Sequence, residues 1–210
     1  RPGAGRPRTG LAGVPHRART PFPSRFPLHV TLRALGGLPS LREQSSRRVL
    51  TGAIAAGRER FGCRIVHFSI QSNHVHLLCE ARDSVALSRA IRGLAIRMAR
   101  AFNGAHDRSG RVWADRYHSR VLRTPKETRI ALVYVLGNWR HHGGSRYPDS
   151  CIDPCSSAGW FDGFREPVLR APPALPPVAQ ARTWLLVNGW KYHGRISVSE
   201  GAWRPSVRRG

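Results

Sequence analysis

The sequence predicts an α+β fold, ferredoxin-like in its β-α-β-β-α-β-α order, with a four-stranded antiparallel sheet and helices covering one face of it. Three observations carry that expectation. Cys63 to Ile70 (CRIVHFSI) and His74 to Glu80 (HVHLLCE) are strand-like runs separated only by Gln71-Ser72-Asn73, the pattern of an antiparallel hairpin. A long stretch from Ser84 through Asn103 carries Leu87, Ile91, Leu94, Met98 and Phe102 at helical spacing. Thr124-Pro125-Lys126-Glu127 combines a capping residue, a proline in the first turn and an acid three places after the cap, which marks a helix start.

The remaining elements fall in order around these. Leu28 to Leu35 (LHVTLRAL) alternates as a first strand until Gly36-Gly37 breaks it. Ser40-Leu41-Arg42-Glu43 has the form of a capping box, and the helix it opens is expected to reach about Arg60, before Gly62. Asp83 or Ser84 is positioned to cap the long helix. Tyr117 to Arg123 (YHSRVLR) reads as the fourth strand, and the helix after Thr124 is expected to run to Trp139 or Arg140, ahead of Gly143-Gly144.

Three regions follow: a basic tail over 1–25, an ordered domain over 26–147, and an irregular C-terminal extension over 148–210. The tail holds six arginines, five prolines, four glycines and no acid, a composition expected to stay disordered. Within it, Gly5-Arg6-Pro7-Arg8 resembles the core of a minor-groove AT-hook, making Arg6 and Arg8 candidate DNA contacts. In the extension, residues 171–178 (APPALPPV) read as a proline-rich linker, and residues 183–197 (TWLLVNGWKYHGRIS) carry enough apolar surface to dock on the domain or on DNA.

Charge narrows the function. Thirty-five basic residues against twelve acidic ones leave a net +23, and only Lys126 and Lys191 are lysines. Such an excess repels itself in a compact fold unless a polyanion is the usual partner, and arginine forks suit phosphate oxygens. No apolar run reaches the roughly 18 residues that span a bilayer, so no membrane partner is expected. Nothing resembles a secretion signal, and Cys63, Cys79, Cys151 and Cys155 are too few and scattered for a disulfide framework. Free thiols in a reducing cytoplasm are expected, in preference to a zinc site at Cys151 and Cys155.

One constellation carries chemistry. His74 and His76, one residue apart on a strand, project from the same face, where two imidazoles can chelate a divalent ion. In a chain with ten histidines such a pair arises by chance about half the time, so it is weak alone. Tyr134 and Asn138, four apart on the helix after Thr124, share a face of that helix.

The stretch Ser72-Asn73-His74-Val75-His76-Leu77-Leu78 resembles the HUH motif of insertion-sequence single-tyrosine transposases, most of all the branch associated with repetitive extragenic palindromes. Arg108-Ser109-Gly110-Arg111-Val112-Trp113 with Arg116-Tyr117, then Tyr134-Val135-Leu136-Gly137-Asn138, resemble further motifs of that branch in the same order. The resemblance covers residues 26–142, with Leu136 and Trp139 departing from the common His and Pro. It implies a metal-dependent single-stranded DNA endonuclease and strand transferase working through a 5′-phosphotyrosine on Tyr134. His74, His76 and Asn138 would be ligands of Mg²⁺ or Mn²⁺, and DNA bearing a hairpin the partner. Location at the nucleoid of a bacterial cytoplasm is implied too, and monomer or homodimer is left open. On that reading Arg92, Arg111, Arg116 and Arg120 are candidate backbone contacts, and Trp113, Trp139 and Trp160 candidate base platforms. The alternatives are a domesticated protein that binds hairpin DNA without cutting it, and an RNA-binding ferredoxin-like domain.

Overall fold

A computed structural model describes residues 21–137, 151–168 and 175–201. The basic tail up to Thr20, the expected helix end at Trp139 or Arg140 with Asn138, and part of the proline-rich stretch lie outside the described residues.

The strands are β1 (Leu28–Arg33), β2 (Glu59–Arg60), β3 (Cys63–Ile70), β4 (His74–Ala81) and β5 (His118–Val121). The helices of the domain are α1 (Gln44–Gly57), α2 (Ser84–Ala105) and α3 (Pro125–Gly137). One antiparallel sheet has the order β2-β3-β4-β1-β5. Its four main strands are those expected, and β2 is an added two-residue edge. The first helix stops at Gly57 rather than Arg60 because the chain has to turn there. Phe61 (φ 54°) and Gly62 (φ 73°) form a two-residue turn with both φ values positive, which pairs Arg60 with Cys63.

Local signals were realised with small shifts. Glu43 accepts the backbone N–H of Ser40 at 3.1 Å, the returning half of a capping box. The Ser40 hydroxyl, however, accepts from Arg42, and the helix begins four residues later than Ser40. Asp83 caps α2 by accepting from Ala86 at 2.7 Å, and Thr124 accepts from Glu127 at 3.1 Å at the start of α3.

Helices cover both faces of the sheet, not one. Leu28, Val30 and Leu32 of β1 and Val75, Leu77 and Cys79 of β4 point into a core with Leu50 and Ile54 of α1 and Leu87, Ile91, Leu94, Met98 and Phe102 of α2. A second core joins Val66 and Leu78 of the sheet to Leu132, Val135 and Leu136 of α3. The C-terminal extension completes that second core with Phe161, Phe164, Leu186, Trp190 and Ile196. A register shift between Ile65 and His67 turns Val66 to this side, and the Ala179 N–H donates to Ile65 at 2.8 Å beside it. The stretch that could have docked on DNA therefore docks on the domain, through α4 (Trp184–Val187) and a 3₁₀ turn at Gly189–His193.

Two buried carboxylates fasten the extension. Asp153 takes both guanidinium branches of Arg42, at 3.0 and 2.7 Å, and the Cys155 N–H at 2.9 Å. Glu80, 2% exposed on β4, accepts from the backbone N–H of Arg182 and Thr183, from the Thr183 hydroxyl and from Arg64. Glu80→Ala strands these donors in a dry site. We expect it to destabilise the fold by about 2–4 kcal/mol, seen as a lower urea midpoint. Glu80→Gln keeps one acceptor and should lose less.

Candidate active site

The face of the sheet toward α3 carries the polar residues of the strand alternation. Register places Thr31 of β1 opposite His76 of β4, Arg33 opposite His74, and His29 opposite Leu78. On the other flank of β1, His118 of β5 faces Thr31 and Arg120 faces His29. His29, Thr31, His74, His76, His118 and Arg120 thus lie on one surface.

The two expected imidazoles and the expected phenol meet there. The rings of His74 and His76 lie 4.5 Å apart, centre to centre, and the Tyr134 ring stands edge-on to His76 at 4.9 Å. His76 is buried at 4% exposure. Tyr134 is half-buried at the margin of the second core. Burial raises the Tyr134 phenol above its usual value, so it holds its proton at neutral pH.

His29 escaped the sequence reading. Its Nε2 lies 3.1 Å from Nδ1 of His76, the Thr31 hydroxyl lies 3.1 Å from the same nitrogen, and the His29 ring stands 5.7 Å from that of Tyr134. The clue was present in the first strand: Leu28, Val30 and Leu32 mark one face, and His29 and Thr31 are the polar residues between them. Burial, then the charges of His118, Arg120 and His74, push His29 down to about 4, leaving it neutral near pH 7.

These contacts define the donor atoms. His74 Nδ1 lies 2.7 Å from the Asn73 carboxamide oxygen and so donates to it, leaving the ring's lone pair on Nε2. His76 meets Thr31 and His29 through Nδ1, which directs metal coordination by that ring to Nε2 as well. Two imidazoles oriented in this way fit a divalent ion. Among the described residues no set of three His, Cys, Asp or Glu side chains could hold an ion. Asn138, the third ligand that the sequence suggests, lies outside the described residues.

The other expected contacts divide. Arg92, Arg111 and Arg116 line one cleft of about 510 Å³ between α2 and the loop before β5. Within it Arg111 is engaged with the carbonyls of Trp113 and Ala114. Arg120 lies apart, on β5, paired with Glu127 at 2.7 Å. Trp113 is not a base platform: it is 9% exposed in the first core, with its indole N–H on the Ala95 carbonyl at 2.9 Å. Trp160 is half-buried, and Arg6 and Arg8 lie outside the described residues. Tyr117 packs on the first core with its hydroxyl 3.2 Å from that of Ser88, on the side of the sheet away from the imidazoles. None of the four cysteines forms a disulfide.

Known proteins similar to this chain are transposases. The family described as "Transposase IS200 like" matches residues 39–135, a stretch that contains His74, His76 and Tyr134. Over residues 39–135 this chain is thus similar to IS200-like transposases. The fold of a REP-associated tyrosine transposase, solved bound to a REP hairpin, is similar at 16% identity and a TM-score of 0.53, over 69% of this chain and 82% of that one. A candidate transposase from Deinococcus radiodurans R1 aligns at 14% identity and a TM-score of 0.40, over 58% of this chain and 94% of that one. No curated protein matches. No helix among the described residues is long and apolar enough to cross a membrane.

His67 lies on the same sheet face, over the extension, with Nδ1 3.2 Å from the Ser157 hydroxyl and its ring edge-on to Phe161. Burial lowers it from 6.5 to about 4, against a smaller opposing pull from Asp162. The unfolded chain takes up this proton near pH 6.5, whereas the folded chain refuses it until about pH 4. The neutral ring's contribution is therefore complete above pH 6.5 and is lost as pH falls toward 4. At about 1.4 kcal/mol per unit the loss is roughly 3 kcal/mol at most, reduced by the ring's partial access to solvent. His67→Gln should flatten the fall in thermal midpoint between about pH 7 and pH 5, with His29 the shared background in both proteins.

Proposed function

We propose that this protein cuts and rejoins single-stranded DNA, with Tyr134 as nucleophile and with His74, His76 and Asn138 holding a divalent ion, Mg²⁺ or Mn²⁺. The observation that carries the reading is the convergence of the Tyr134 ring on the His74–His76 pair. Similarity to IS200-like transposases over residues 39–135 makes DNA the polyanion to which the charge points. The REP-associated relative was solved on a hairpin, so a hairpin-bearing strand is the substrate to try first.

The phenolic oxygen of Tyr134 bonds to the scissile phosphorus as the bond from phosphorus to the 3′-oxygen breaks. The phenol gives up its proton, the departing 3′-oxygen gains one, and the 5′-phosphate remains on the tyrosine. Attack by another 3′-hydroxyl reverses the step and joins strands, because the ester bond energy is conserved. When bound, the ion supplies Lewis-acid polarisation of a non-bridging phosphate oxygen. His29 and Thr31 hold the His76 ring through Nδ1, so they are positioning residues.

With Mn²⁺ and a hairpin-bearing single strand, wild-type protein should form an adduct that survives a denaturing gel, and Tyr134→Phe should form none. An undiminished adduct in Tyr134→Phe would remove the nucleophile assignment. DNA binding with no wild-type adduct would favour a non-cleaving hairpin-binding protein. His29→Ala should slow adduct formation about tenfold or more while leaving DNA affinity unchanged, with Thr31→Val weaker in the same direction. An equal loss of affinity in His29→Ala would make its role structural.

A further inference from the structure

The opposite end of the sheet holds a groove of about 670 Å³. Arg25, Arg64, Arg82, Arg123 and Arg182 line it, against one acid, Glu80. The Glu80 carboxylate is already committed to Arg64 and to the amides of Arg182 and Thr183. Arg82 and Arg182 reach Asp83 and Glu59 only in solvent-exposed pairs, at 3.1 and 3.8 Å, which neutralise little. Arg25 and Arg123 have no acidic partner among the described residues, and their guanidinium groups lie 4.8 and 5.7 Å from the ring centre of Phe26. So many guanidinium groups around one cavity repel each other unless an anion enters it.

An aromatic wall accompanies the charge. Trp184 lines the groove and is 52% exposed. Its ring lies on Gly189, where a Cβ would come within 2.7 Å of the indole, so the glycine makes the seat. Tyr192, 77% exposed, stands 5.7 Å from the Trp184 ring. Guanidinium forks suit phosphate oxygens, and an exposed indole suits the face of a base.

We propose that this groove is a second nucleic-acid site, which grips the DNA backbone some distance from the reacting phosphate and stacks a base on Trp184. The inference rests on the reading that the substrate is DNA. Spacing supports one strand reaching both places. Five residues of β4 separate His76 from Ala81 at the groove, about 17 Å at 3.4 Å per residue. Nine residues of α3 separate Pro125 at the groove from Tyr134, about 14 Å at 1.5 Å per residue. Either span corresponds to about four or five base-pair steps of duplex.

The test compares two hairpin DNAs, one extending about ten nucleotides beyond the cleaved position on each side and one cut back to about two, too short to reach the groove. Full-length protein carrying Arg25→Ala, Arg123→Ala and Arg182→Ala together keeps every backbone bond of those residues, and its melting curve should match wild type. On the long DNA we expect affinity about tenfold lower or more, and a salt dependence of binding shallower by about two to three. On the short DNA, affinity and the Tyr134 adduct should equal wild type. Trp184→Ala should weaken binding to the long DNA about fivefold or more without changing its salt slope. Wild-type affinity and slope of the triple variant on the long DNA would overturn the proposal, and so would equal weakening on both DNAs. A wild-type protein that binds the long DNA but forms no adduct would overturn the cleavage reading alone, because the groove is judged by binding.

Discussion

The pairing of β1 with β4 is the constraint on which the rest depends. Thr31 opposite His76 sets every other neighbour along the two strands, and a slip of one residue would exchange their faces. Val30, Leu32, Val75 and Leu77 would then leave the α1–α2 core, and His29, Thr31 and His76 would enter it without partners. The apolar residues thus hold the polar ones in place. Register is fixed by burial on one face, and the imidazole cluster on the other face inherits that precision.

A sheet covered on both sides is needed to finish the site. With α1 and α2 alone, the imidazole face would be open to water and Tyr134 would have nothing to pack against. The second core, formed by α3 with the C-terminal extension, brings the phenol to the sheet and dries the surroundings of His29 and His76. The extension is held to the sheet by Asp153 and Glu80, carboxylates whose partners are up to 111 residues away in sequence. It holds α3 against the sheet, and the site depends on it through α3.

Much of this was legible in the chain because the signals were local. Hairpin spacing, the helix start at Thr124 and the stripe from Leu87 to Phe102 each involve residues close in sequence, and each element formed where those signals put it. The Thr31–His76 contact, the Val66 register shift and the docking of Trp190 depend on distant partners, which periodicity does not encode. Trp113 shows the same limit. Its arginine-rich neighbourhood suggested a surface platform, but Val112 and Ala95 draw it inward. His29 could have been read from alternation, since a histidine on the polar face of a half-buried strand has to find a partner.

The resting phenol raises a last physical point. Burial keeps Tyr134 protonated, and His29 beside it is neutral and already held against His76. Neither group makes a phenolate in the free protein. On the proposed reading, the positive charge of a bound ion would have to face the tyrosine before it becomes a good nucleophile, because desolvation opposes the anion until a cation faces it. On that reading the half-buried setting would hold the phenol back until the ion that polarises the scissile phosphate is in place.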